Sequence, residues 1–146
     1  MQLTGSHTLA APIEKVWQML MDTDILAKIV PGVSRLEKTG ENQFEAISEI
    51  KLGPVSGKFS GGLTLSDIVE PSTFTLNVSQ NSKIGNADAS IKINLVAVDA
   101  QQTEISFDGD AKLSGLLART GQRVLSGVAN TLTKQFFTNF EEEIAS

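Results

Sequence analysis

The 146-residue sequence contains no cysteine, no tyrosine and a single histidine, His7. Without thiols the chain cannot form disulfides, bind a metal through sulfur or use a cysteine nucleophile. One imidazole is also too few for a histidine metal site and a poor basis for nucleophilic hydrolysis. The sequence therefore predicts no metal, no cofactor and no catalytic residue, and the absence of cysteine favours a cytoplasmic location.

Long apolar runs and clusters of positive charge are missing as well. No window approaches the ~20 apolar residues that a membrane-spanning helix needs, and the first residues do not resemble a signal peptide. The net charge is −5, and the 12 Lys and Arg residues are scattered singly along the chain. Because nucleic-acid binding requires concentrated positive charge, we expect a soluble protein without a membrane span or a nucleic-acid partner.

The length fits one domain, residues 1–146, with enough chain for a core. Alternation from Gln2 to Ala10 predicts a strand. Pro12 suits the start of a short helix, and side-chain oxygens around Asp22 cap a second one that Pro31-Gly32 ends. The apolar residues of this second helix are Ile25, Leu26, Ile29 and Val30.

The remaining chain divides into a strand-rich part and a helical part. Between Val33 and Leu113 apolar residues recur with period two, and turn-forming clusters separate six strands. Short links favour antiparallel hairpins, so the sheet is a seven-stranded meander. From Ser114 the period returns to 3.6 and predicts one long helix, which Gly121 and Gly127 weaken. These patterns predict an α+β fold in which the long helix packs on a curved sheet.

Small residues on the predicted inner face of the sheet favour an internal cavity. Ala46, Gly61, Ala89 and Gly109 fill little space, whereas protein interiors are close-packed. Such residues also allow close helix approach or strand bending, which is the alternative explanation. If a cavity exists, we expect the second short helix to close it through Leu26, Ile29 and Val30. The expected wall residues are Leu63, Phe74, Leu76, Ala89, Ile91, Phe107, Val128 and Leu132.

Four separated pieces of sequence carry a family resemblance. They are residues 5–32 (GSHTLAAPIEKVWQMLMDTDILAKIVPG), residues 53–57 (GPVSG), Gly121-Gln122-Arg123 and Phe136-Phe137. Together they resemble the carbon monoxide dehydrogenase G-subunit family of the START-like superfamily. That superfamily has the helix-grip fold of birch-pollen allergens, and the resemblance covers nearly the whole chain.

The resemblance implies a function as well as a fold. It implies an internal cavity for lipids, quinone-like or other apolar molecules. It also implies an accessory role toward an aerobic CO dehydrogenase or a related molybdenum hydroxylase, with peripheral contact at the inner face of the membrane. Some family members carry a C-terminal extension proposed to attach to membrane. This sequence ends at Ser146, so a soluble carrier is equally expected.

Three functions remain open at this point. The first is non-enzymatic binding of an apolar small molecule. The second is a protein-protein docking and assembly module with a vestigial cavity. The third is a START-like cyclase, which the lack of tyrosine and the outward placement of Arg119 and Arg123 argue against.

Several single residues carry further expectations. His7 is expected to be half-buried and bonded to a neighbour, with contact to a ligand head group as the alternative. Trp17 is expected to anchor the core. Phe137 lies off the apolar arc of the last helix, so it is expected at a partner surface or a cavity rim. The acidic run at 141–143 opposes the helix dipole and predicts fraying.

Overall fold

The computed structural model describes residues 1–146 as seven strands and four helices. The strands are β1 (Gln2–Leu9), β2 (Val33–Gly40), β3 (Gln43–Leu52), β4 (Val55–Val69), β5 (Thr73–Ser82), β6 (Gly85–Asp99) and β7 (Gln102–Leu113). The helices are α1 (Ile13–Leu20), α2 (Thr23–Ile29), α3 (Gly115–Arg119) and α4 (Gln122–Ala145). The predicted fold class, with seven antiparallel strands, two short helices and a long C-terminal helix, is confirmed.

The strand order gives the molecule two distinct ends. The sheet runs β1-β7-β6-β5-β4-β3-β2, with every neighbour antiparallel. The β3–β4 and β5–β6 turns therefore lie at one end, here called the hairpin end. The β2–β3, β4–β5 and β6–β7 turns lie at the opposite end. Because β1 leads directly into α1 and α2, these helices also lie at that opposite end, here called the α1/α2 end.

The prediction of one unbroken helix from Ser114 is wrong, because the structure divides this segment into α3 and α4. Gly121 separates them with φ of 99° and ψ of 143°, a conformation outside the helical region. The short helix α3 is held at the hairpin end, where the Leu117 N–H donates to the Ile84 carbonyl oxygen at 2.9 Å. Close approach there requires Gly85, since a Cβ at that position would lie 1.9 Å from the Ser114 carbonyl oxygen.

The helix α4 runs from the hairpin end back to the α1/α2 end. There the Asn139 side chain donates to the Ile29 carbonyl oxygen at 3.2 Å and ties α4 to α2. The prediction that the helix frays at residues 141–143 is wrong, since α4 continues to Ala145. Two of the three carboxylates have cationic or histidine partners, with Glu143 3.7 Å from the Lys28 ammonium and Glu141 bonded to His7.

Two apolar clusters close the two ends of the space between sheet and helix. The larger lies at the α1/α2 end and contains Trp17, which is 4% exposed and meets the Phe74 ring edge-on at 5.7 Å. The Trp17 indole N–H donates to the Glu70 carboxylate at 3.1 Å, so the predicted core anchor is confirmed. The smaller cluster, at the hairpin end, consists of Val55, Phe59 and Leu117.

Candidate functional site

A cavity of about 330 Å³, here called the central cavity, lies between the inner face of the sheet and α4. Eleven of its twelve lining residues are apolar, and Thr133 is the exception. The strands contribute because their period-two alternation directs every second side chain inward. The lining residues are Leu3, Leu20, Leu76, Ile91, Ile93, Ile105, Phe107, Ala129, Leu132, Thr133, Phe136 and Phe137.

A second cavity of about 290 Å³, here called the α3 cavity, adjoins the first toward the hairpin end. Leu3, Ala129 and Leu132 line both, so the two cavities are neighbouring chambers under α4. Thirteen of its fifteen lining residues are apolar. They are Met1, Leu3, Ile50, Val55, Phe59, Ala87, Ala111, Leu113, Leu117, Leu125, Val128, Ala129 and Leu132, with Ser48 and Gln80 completing the wall.

A polar groove of about 590 Å³ follows the edge strand β1 and the flank of α4. It is called the β1 groove here. Its polar residues include Ser6, His7, Asn130 and Lys134. Five residues are common to the groove and the central cavity, so the groove borders the apolar interior directly. These are Leu3, Phe107, Ala129, Thr133 and Phe137.

His7 and Phe137 meet where the groove borders the interior. Their rings stack at 4.6 Å between centroids with an interplanar angle of 17°. The His7 Nε2 atom is also hydrogen-bonded to the Glu141 carboxylate, so the predicted bond to a neighbour is present. Phe137 is only 6% exposed, so it does not lie on a partner surface, and it occupies the rim of the central cavity, the other position expected for it. Because β1 covers this flank of α4, the buried arc of the helix is wider than its apolar pattern indicates.

Five of the residues expected to line a cavity do so. Leu76, Ile91 and Phe107 lie in the wall of the central cavity. Val128 lines the α3 cavity, and Leu132 lines both. The structure thus brings residues from three strands and α4 around one continuous apolar interior.

The other six expected residues lie outside these two walls. Phe74 and Ile29 are buried in the core cluster at the α1/α2 end, with Leu26 and Val30 packed against it. Leu63 and Ala89 face inward, half-buried, on β4 and β6. The central cavity lies under α4 against β5, β6 and β7, the α3 cavity lies toward the hairpin end, and neither wall includes these six residues. Solid packing, not a cavity, occupies the space beneath α2.

Sequence reasoning missed two important wall positions, Leu3 and Ala129. Leu3 alternates in phase with His7 on β1, but no pattern indicated that α4 would lie over this edge. Ala129 falls on the apolar arc of α4, and its small side chain leaves space on the side of both cavities. Ile93 and Ile105 also line the central cavity, in the same strand alternation as Ile91 and Phe107.

The side chains around the central cavity do not pack it to interior density. Leu76, Ile91, Phe107 and Leu132 are all half-buried, although the sheet lies on one side and α4 on the other. Fully packed interiors leave such residues inaccessible to solvent. An apolar space of this kind with few polar groups is characteristic of small-molecule sites, and both volumes lie near the lower end of their usual range of ~300–1,000 Å³.

None of the helices combines the length and the hydrophobicity needed to span a membrane.

Comparisons with known proteins give a family and a set of structural relatives. The model of the carbon monoxide dehydrogenase G-subunit (CoxG) family matches residues 5–145. A conserved protein from Geobacillus kaustophilus has a solved structure that is 33% identical, with a TM-score of 0.96, 99% of this chain covered and 95% of that chain. No curated protein matches the chain by sequence.

More distant solved structures share the fold. A START superfamily protein from Mycobacterium smegmatis is 12% identical, with a TM-score of 0.76 and coverage of 99% of this chain and 97% of that chain. The ZhuI aromatase/cyclase from Streptomyces sp. R1128 is 15% identical, with a TM-score of 0.72 and coverage of 98% and 92%. At these identities the likeness shows the START-like fold alone.

Proposed function

Because the chain belongs to the carbon monoxide dehydrogenase G-subunit (CoxG) family, we propose that it binds an apolar small molecule, lipid-like or quinone-like, between sheet and helix. The molecule occupies the central cavity and extends into the α3 cavity. The protein holds it without transforming it, in the cytoplasm or at the inner face of the membrane. The START-like fold supports a ligand-binding domain, and the apolar walls support the class of ligand.

The observation that carries this proposal is the composition of the two walls. Only Thr133 in the central cavity, and Ser48 with Gln80 in the α3 cavity, carry polar side chains. Burial of roughly 300 Å² of apolar ligand surface would contribute about 7.5 kcal/mol at about 25 cal/mol per Å², before the cost of association. A polar ligand would lose its hydration without regaining hydrogen bonds there.

The same walls support binding over catalysis. Acid–base chemistry needs a titratable side chain within hydrogen-bond reach of the reacting atoms. The central cavity is lined by no Asp, Glu, Lys, Arg, His or Tyr. His7 lies in the β1 groove, where Glu141 and the Phe137 ring already engage it. A reaction of the cyclase type would have to proceed without a proton donor or acceptor of these kinds.

The test uses one substitution in the wall and a matched one outside it. Ala129→Trp places an indole into the space that both cavities share, whereas Ala118 is exposed on α3 and lines neither. We expect Ala129→Trp to weaken binding of the apolar fluorophore N-phenyl-1-naphthylamine at least about tenfold, equivalent to about 1.4 kcal/mol. Ala118→Trp should stay close to the wild type.

Fluorescence titration measures both affinities, and the melting temperature confirms that each variant is folded. A wild-type protein that takes up no apolar fluorophore would contradict the proposal. Equal affinities in two folded variants would also contradict it, because binding would then lie elsewhere.

The partner is the second part of the proposal. The family description names a component of CO dehydrogenase, and this supports an accessory role toward that enzyme or a related molybdenum hydroxylase. Affinity purification of the tagged chain from its native cell is expected to recover hydroxylase subunits. Repeated recovery of the chain without them, under conditions in which the hydroxylase is expressed, would contradict this part while leaving ligand binding intact.

A further inference from the structure

The fold gathers cations that are dispersed in the sequence. Lys51 and Lys58 flank the β3–β4 turn, Lys83 lies in the β5–β6 turn, and Arg119 and Arg123 lie on either side of the break between α3 and α4. All five are exposed, and all belong to the hairpin end. With Lys112, one residue before the end of β7, this end holds six of the twelve Lys and Arg residues of a chain whose net charge is −5.

Contacts at the hairpin end join these three segments into one surface. The α3 backbone is hydrogen-bonded to the β5–β6 turn through Leu117 and Ile84. Lys58 and Lys83 line a common surface groove. Val55 packs against Leu117 in the smaller apolar cluster and joins the β3–β4 turn to α3.

Acidic residues are concentrated at the other end. No Asp or Glu occurs between Glu49 and Asp67, or between Asp110 and Glu141. The α1/α2 end carries Asp22 and Asp24, Glu70 in the β4–β5 turn, Asp99 at the end of β6, and the run 141–143 at the end of α4. The hairpin end has three acidic residues, each opposite a cation: Glu49 lies 3.1 Å from the Lys51 ammonium, Asp110 lies 3.2 Å from the N-terminal ammonium, and Asp88 pairs in register with Lys112. The molecule thus has a basic end and an acidic end despite its negative net charge.

Two exposed apolar side chains lie among the cations. Leu116 is 57% exposed and Val124 is 38% exposed, and both occur in the short stretch that holds Arg119 and Arg123. Leu117, the neighbour of Leu116, turns inward and lines the α3 cavity. The same short helix therefore presents one leucine outward and one to the cavity.

We propose that the hairpin end docks on the surface of an anionic lipid bilayer, with the cations at the headgroups and Leu116 and Val124 entering the interface. Positive charge flanking exposed apolar residues is the combination that binds peripheral proteins to such surfaces. The charge asymmetry orients the molecule, since the acidic end is repelled by the same surface.

The distribution of these side chains favours a bilayer over an acidic protein. The cations come from three separate segments around exposed apolar residues, and a fluid headgroup layer can meet all of them without a matched pattern of acids. Docking also brings the α3 cavity beside the lipid, because Leu117 forms part of its wall. An apolar ligand would then reach the protein interior without crossing water. This last step rests on the proposed function, whereas docking itself does not.

Vesicle co-sedimentation of the full chain tests the proposal. Vesicles of phosphatidylcholine are compared with an equimolar mixture of phosphatidylcholine and phosphatidylglycerol at low and physiological salt. Wild-type protein should bind the anionic vesicles more strongly, and salt should weaken the binding. Reversal of Lys83, Arg119 and Arg123 to Glu should lower partitioning about a hundredfold.

The matched control reverses Lys15, Lys38 and Lys92 to Glu. These exposed lysines lie away from the hairpin end, and the control has the same net charge as the first triple variant. We expect partitioning of this control variant onto anionic vesicles to fall less than about threefold. A second pair tests the apolar part, since Leu116→Ser should weaken binding and Val98→Ser, at an equally exposed valine on the sheet, should not. Circular dichroism confirms the fold of all variants.

Three results would overturn the proposal. The wild type could fail to prefer anionic vesicles, or the two triple variants could lose binding equally and show an effect of net charge alone. The hairpin-end triple variant could also keep its vesicle binding while losing a protein partner, which would assign the surface to that protein. Fluorophore binding by wild type in the absence of vesicles separates these outcomes from failure of the proposed ligand-binding function.

Discussion

Two leucines show how unevenly side chains fill the interior of this protein. Leu9 at the end of β1 is fully buried in the large core cluster. Leu76 on β5 points to the same side of the sheet but remains half-buried, because it faces the central cavity. The difference reflects what lies opposite each residue, namely packed helices for Leu9 and unfilled apolar space for Leu76.

Alanine substitutions at these two leucines should lower the free energy of unfolding by different amounts. Leu9→Ala is expected to lower the free energy of unfolding by about 2–5 kcal/mol, because it creates a new void in packed surroundings. Leu76→Ala should cost less than about 1.5 kcal/mol, since part of the space beside it is already unfilled. Urea denaturation at 25 °C measures both values. Equal costs would mean that the central cavity is packed as tightly as the core.

At this scale the sequence predicts the direction of strand side chains better than their surroundings. Alternation places Leu76, Ile91 and Phe107 on the inner face, where the structure has them. The same pattern cannot distinguish the cavity wall from the solid core, and it predicts Phe74 in the wall although Phe74 is buried in the core cluster. That distinction depends on where α1, α2 and α4 lie, and period-two alternation contains no information about their position.

At the scale of elements, the turns were easier to predict than the last helix. Each hairpin is bounded by Gly, Pro, Asn or Asp, so local chemistry determines where strands end. The break between α3 and α4 depends on Gly121, which the pattern marked only as a weak point. A continuous arc from Ser114 assumes one unbroken helix, and the break resets its phase. The break does not account for Phe137, which lies off the apolar arc of α4 itself and is buried because β1 covers that flank.

Alanine substitutions at two glycines should have opposite effects. Gly121→Ala is expected to destabilise the protein by about 1–3 kcal/mol, because φ of 99° strains a residue that has a Cβ. Gly127 lies within α4, and a Cβ there would meet no atom within 4 Å. Gly127→Ala should therefore stabilise the protein by up to about 1 kcal/mol. Thermal unfolding of both variants tests whether the break is a required feature of the backbone; destabilisation by Gly127→Ala or a neutral Gly121→Ala would contradict this.

At the scale of the whole molecule, packing and charge divide between the two ends. The α1/α2 end is densely packed, acidic and tied to the end of α4 by Asn139. The hairpin end is basic and carries only a small apolar cluster. The cavities lie between them, so the larger core can hold the fold while α4 leaves the inner faces of β5, β6 and β7 unfilled.

The overall architecture follows from the sequence, but the location of the cavities does not. Seven strands and a long helix are encoded in local periodicity and turn chemistry. The cavity walls combine Leu3, Ala129 and Leu113, residues far apart in the chain, and their meeting depends on how the sheet curls toward α4. Charge segregation is similar, since Lys51, Lys83 and Arg119 are isolated in sequence and reach the same end of the molecule only after the strands pair.

Native mass spectrometry of the protein purified gently from its own cells tests most directly whether the cavities bind an apolar molecule. We predict a population carrying one small molecule per chain, which organic extraction removes and which Ala129→Trp greatly reduces. Protein that shows only its own mass, and that takes up neither lipid nor quinone when these are added back, would contradict the proposed function.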